Sequence, residues 1–118
     1  MNWYAAHNVM IVQFKDGIQN KYPFWENIVL IQANSDSEAF AKAEQRAKED
    51  EGDSCGTFTW DGRPARWCFA GVRKLVDCME PTEPPTNGTE VTYLEMEVDN
   101  AAALSKFMNG EPVMVKYG

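Results

Sequence analysis

The stretch Trp3 to Phe14, WYAAHNVMIVQF, constrains the fold more than any other. It is rich in β-branched and aromatic residues, and apolar side chains fall on both of its alternating faces. A strand that is apolar on both faces suits the interior of a sheet, with neighbours to bury it.

The following segments read as its neighbours. Asp16-Gly17 and Asn20 bring turn chemistry before Tyr22-Pro23, and Trp25 to Ala33 reads as a second strand, antiparallel to the first. Ser35-Asp36-Ser37-Glu38 is a capping box that opens a helix over 36–51. Ala39, Ala43 and Ala47 recur every four residues with Phe40 beside them, so the buried stripe is small and the helix should lie close to the sheet. Glu49, Asp50 and Glu51 crowd the negative end of the helix dipole, which predicts fraying or, alternatively, an acidic docking patch.

Thr57 to Trp60, Asp61-Gly62 and the residues from Ala65 onward read as a hairpin about a type I′ turn, with Pro64 at a strand start or edge. Strict alternation along 65–79 puts Trp67, Phe69, Gly71, Arg73 and Leu75 on one face. Cys68, Ala70, Val72, Lys74 and Val76 fall on the other, so each face carries one cation. Glu80 to Thr89, with three prolines, is the one long loop. Glu90 to Val98 alternates as a half-buried strand with an acidic outer face. Asp99 can cap a short helix carrying Leu104, Phe107 and Met108, and Val113 to Tyr117 forms a last strand. The order is ββα-ββ-βαβ. It predicts a single α+β domain over 1–118, with a mainly antiparallel sheet of about five to six strands and two helices packed on one face.

Composition narrows the function classes. With 118 residues, 44% hydrophobic and 25% charged, the chain suits one ordinary globular domain. A net charge of −7 argues against nucleic acid or an anionic membrane as partner. Cys55, Cys68 and Cys78 are odd in number and widely spaced, and His7 is the sole histidine, so neither a disulfide framework, a metal site nor a cofactor is indicated. The start has no basic leader, and no apolar run approaches the ~18 residues of a membrane span, so a cytoplasmic location is expected. Asn87-Gly88-Thr89 reads as a turn.

Three stretches carry a family resemblance: WYAAH at 3–7, FWENIVLIQANSDSEAFAKAE at 24–44 and TWDGRPARWCFAGVRKLVDC at 59–78. Together with TEVTYLEMEV they resemble a small bacterial family known only as domain of unknown function 4288. The resemblance implies a single intracellular domain and marks positions 25–27 and 69–75 as family signature. It carries no reaction, cofactor or catalytic residue.

Among the residues themselves, His7 alone has an unperturbed pKa near neutrality, and no serine or cysteine in the sequence is an obvious partner for it. Trp25, Glu26 and Asn27 begin the second strand, and Arg73 and Lys74 lie in the fourth; either cation could hold a small anionic ligand that Glu26 orients. Alternatively, Arg73 pairs with Glu26 and fixes sheet register. The tryptophans Trp3, Trp25, Trp60 and Trp67 fit a core or a subunit interface. Three readings follow. The chain is a homodimeric or partner-binding interaction or regulatory module, leaning away from an enzyme; or a small-molecule binder or weak enzyme using His7, Glu26, Arg73 and Lys74; or an acidic mimic of nucleic acid using Glu49, Asp50, Glu51, Asp53, Glu95 and Glu97.

Overall fold

The computed structural model describes all 118 residues. β1 (Asn2–Phe14) is the interior strand, lying between β2 (Phe24–Ala33) and the long β4 (Arg63–Asp77), each paired with it antiparallel. β3 (Thr59–Trp60) adds two residues beyond β4, and the order across the sheet is β2-β1-β4-β3. The β3–β4 hairpin turns on Asp61 and Gly62, with φ of 51° and 73°. Both residues are left-handed, as a type I′ turn requires, and Asp and Gly tolerate that conformation best.

One helix lies on this sheet. α1 (Asp36–Glu49) starts at Ser35, whose side chain accepts from the Glu38 N–H at 3.1 Å, while Glu38 reaches back to the N–H of Asn34. Its Ala39, Ala43 and Ala47 are all fully buried. With no side chain beyond Cβ in the seam, Asn8 of β1 donates directly from Nδ2 to the Ala43 carbonyl at 3.2 Å. Tyr4, Ala33 and Ala39 pack with Ile31 and Leu75 at one end of this layer. Val12, Phe14 and Ala65 pack with Phe58, Trp60 and Trp67 at the other. The carboxylates after α1 are not a frayed end: Glu51 accepts from the Phe69 N–H at 2.9 Å, and Asp53 pairs with Lys15.

The α+β class and the antiparallel sheet agree with the sequence reading, whereas the C-terminal third is arranged differently. The remaining strands, β5 (Met96–Glu97) and β6 (Lys116–Tyr117), form a separate two-stranded sheet joined by α2 (Ala101–Met108). α2 is capped by Asn100 rather than Asp99, buries none of its residues, and does not pack on the four-stranded sheet. The alternating stretch from Glu90 contributes only two residues to a ladder. The reason is that residues 92–93 lie against the face of the main sheet, where Thr92 meets His7 and the Tyr93 carbonyl meets Lys74, so they are not beside a strand. Beyond Cys78 no residue is buried. The radius of gyration, 17.2 Å, exceeds the roughly 13–14 Å of a compact chain of this length. Neither helix is long and apolar enough to cross a membrane.

The close approach of α1 has a measurable consequence. Ala43→Leu forces a larger side chain between helix and sheet and should cost about 1–3 kcal/mol. Ala101→Leu, on the exposed surface of α2, should change stability by no more than about 0.5 kcal/mol. Urea unfolding midpoints of the two variants check the contrast.

Candidate functional site

Two irregularities in β4 build the site. Opposite β1 the register runs His7 to Lys74 and then Asn8 to Val72, and again Val9 to Gly71 and then Met10 to Phe69. Arg73 and Ala70 are therefore extra residues, each a β-bulge that interrupts the alternation of faces. Strict alternation separates Arg73 from Lys74; the bulge instead delivers both to the sheet face that α1 leaves open. There Glu26, opposite Val9, and His7, opposite Ile28, already point.

Glu26 is the hub. Its carboxylate accepts from Arg73 Nε at 2.6 Å and Arg73 Nη2 at 2.8 Å, a two-pronged fork, and from His7 Nδ1 at 2.6 Å. The Arg73 hydrogen bonds, opposed by partial burial and reinforced by the single one from His7, hold the Glu26 carboxyl at a pKa of about 2. Arg73 is correspondingly raised, chiefly by its hydrogen bonds to Glu26. With Glu26 ionised, His7 Nδ1 must donate; in the neutral ring Nε2 is then an acceptor, placed 2.6 Å from Thr92 Oγ. His7 is fully buried, so both ring nitrogens are satisfied by these two partners alone. Lys74 donates to the Tyr93 carbonyl at 2.7 Å and lies over the Tyr93 ring at 3.9 Å. Arg73 and Lys74 also line a cavity of about 240 Å³ with Leu94, Glu95, Tyr117 and Gly118.

Of the six candidates drawn from the sequence, His7, Glu26 and Arg73 are bonded to one another and Lys74 stands beside them. Trp25 and Asn27 are not part of the group. They flank Glu26 in a strand, so their side chains emerge on the opposite face. Trp25 stacks at a tilt on Trp67, centroids 4.8 Å apart, and Asn27 lies opposite Asn8 beneath α1. Thr92 was not among the candidates; it is 85 residues from His7 and sits in a stretch that reads as an ordinary strand. No group of three His, Cys, Asp or Glu side chains converges as a metal site would need.

Glu26 also sets an acid limit on stability. Its pKa falls on folding from 4.5 to about 2, so its contribution is fully present above the unfolded value and is lost as pH falls through the folded one. Its side chain is 23% exposed, and the shift corresponds to roughly 3 kcal/mol. Glu26→Gln should therefore be less stable than the parent by about this amount at neutral pH. Denaturant midpoints collected across the acid range should show the gap narrowing below pH 4.5 and closing near pH 2.

No curated protein and no solved structure matches the chain. A family model does match, over residues 3–93, a span that contains His7, Glu26, Arg73, Lys74 and Thr92. On that match the chain belongs to the family described as Domain of unknown function (DUF4288).

Proposed function

We propose that the protein is a self-associating interaction module whose copies join through the free edge of β2. The observation that carries this reading is the contrast between the two edges of the main sheet. On the β4 side the edge is closed: β3 covers its start, Gly52 bridges to Trp67, Glu51 occupies the Phe69 N–H, and two bulges twist what is left. On the β2 side ten residues run with no strand beyond them, and only the Gln32 carbonyl is capped, by Lys42.

The side chains of β2 fit an interface. Phe24, Trp25, Ile28 and Leu30 are 60%, 53%, 44% and 43% exposed, and the strand contains no lysine, arginine or proline. Such an edge is a template for strand addition. A second copy of the chain is the favoured occupant on electrostatic grounds. With a net charge of −7, two copies repel one another over most of their surface. β2 bears a single charge, Glu26, and Arg73 and His7 already bind it. Antiparallel pairing of β2 with its counterpart about a two-fold axis would extend the four-stranded sheet across both protomers.

The other readings have less support. Arg73 has its fork filled by Glu26, which leaves a small anion only Lys74 to bind. Glu51, Asp53 and Asp50 are engaged by Phe69, Lys15 and Arg46, which weakens an acidic mimic.

Native mass spectrometry and light scattering should give twice the chain mass for the parent protein. Leu30→Lys, which places a charge at the exposed edge, should give the chain mass with an unchanged far-ultraviolet spectrum. A parent protein that stays monomeric at high micromolar concentration excludes the proposal.

A further inference from the structure

We propose that Thr92, His7 and Glu26 form an acyl-transfer site in which Thr92 Oγ attacks a small carboxylic ester. The inference is independent of self-association and rests on the order of donors and acceptors. A hydroxyl lies 2.6 Å from an imidazole nitrogen, and the other ring nitrogen lies 2.6 Å from a carboxylate. These are the contacts that hydroxyl activation demands: nucleophile to base, and base to the group that orients it. The carboxylate is itself immobilised by the two hydrogen bonds from Arg73, which fixes the ring with Nδ1 as donor and Nε2 facing Thr92.

The surroundings supply the remaining parts. His7 is wholly buried, whereas Thr92, past which the ester and then water must reach Nε2, is only half-buried, in a segment without helix or strand. Lys74 sits opposite His7 in register and spends one of its three donors on the carbonyl of Tyr93, the residue after Thr92. The ammonium also lies over the Tyr93 ring, and its other donors have no hydrogen-bond partner, which makes it the cation at hand for negative charge developing on the substrate. A cavity of about 240 Å³ begins two residues on from Thr92, at Leu94, and shares Arg73 and Lys74 with the polar cluster; with Glu95, Tyr117 and Gly118 completing its wall it has room for a short acyl group.

The reaction balances without a further reagent. The Thr92 O–H proton passes to His7 Nε2 as Oγ forms a bond to the ester carbonyl carbon. The tetrahedral adduct collapses by breaking the bond to the alcohol oxygen, which takes the proton from Nε2. Water then repeats the sequence on the acyl-threonine, releasing the carboxylic acid and restoring the hydroxyl. Glu26 stays ionised throughout.

The test uses the full chain with p-nitrophenyl acetate, followed by peptide mapping of the quenched protein. The expected result is a burst of p-nitrophenol and an acetyl group on Thr92. Thr92→Ser should retain both, and Thr92→Ala should lower turnover by on the order of 10²-fold. Glu26→Gln should slow acetylation of Thr92 while leaving the secondary structure intact by circular dichroism. Should a variant fail to fold, the map of the parent protein still decides. Acetyl found only on lysines or on the exposed Cys55, or equal turnover by a folded Thr92→Ala variant, would overturn the proposal, leaving the Thr92 bond a mere fastening of the C-terminal segment to the sheet.

Discussion

The Glu26 carboxylate joins more of the chain than any other group. It lies in β2, binds His7 of β1 and Arg73 of β4, and through His7 reaches Thr92 in the covering segment. A histidine fully buried in a sheet is costly unless both nitrogens are bonded. Glu26 and Thr92 supply those two bonds, so each part of the network is needed by another. The ion pair need not add net stability over an apolar replacement, but loss of one partner strands the other. Such a network therefore sets register more than it strengthens the fold. It fixes β2 against β4 across β1 and determines which residue of the later chain lies over His7.

The bulges make that network possible. A regular β4 would direct Arg73 beneath α1, where the seam is lined by Ala39, Ala43 and Ala47 and has no room for a guanidinium. Inserting one residue turns Arg73 to the open face, and inserting another at Ala70 restores the alternation that places Trp67 and Ala65 in the apolar layer. The same distortions leave β4 a poor edge for strand addition. One local feature thus accounts both for the polar cluster and for the protection of that side of the sheet.

Much of this architecture is legible locally. The interior strand, the capping box at Ser35, the alanine stripe of α1 and the Asp61-Gly62 turn each depend on residues a few positions apart, and each appears in the structure where the pattern places it. The polar site was legible in part. His7, Glu26, Arg73 and Lys74 stand out by type, and an Arg73–Glu26 pair is among the sequence readings and is present; how they meet depends on a bulge, which is a property of pairing with β1, and Gly71 between the two extra residues is its sole trace in the sequence. Trp25 and Asn27 show the converse error, since adjacency along a strand means opposite faces. Thr92 was hidden by distance and by alternation. Its neighbours read as strand because one side of the segment is turned toward the sheet, and a pattern of burial does not distinguish lying over a face from pairing at an edge.

The match over 3–93 divides the chain along a physical line as well. Every member of the polar network, the bulges, α1 and the free β2 edge fall within it. The β5–α2–β6 unit falls outside, and it differs in kind: it buries no residue and leaves Leu104, Phe107, Met108 and Met114 exposed. A unit that cannot bury its own apolar residues gains little from hydrophobic burial, so its order depends on what holds it in place. The hydrogen bonds of Thr92 and Tyr93 are the last strong attachments before it. Arg73 over the Tyr117 ring, at 5.6 Å, is a weaker tether from the same cluster. The C-terminal unit is thus moored to the sheet through the residues that surround Glu26.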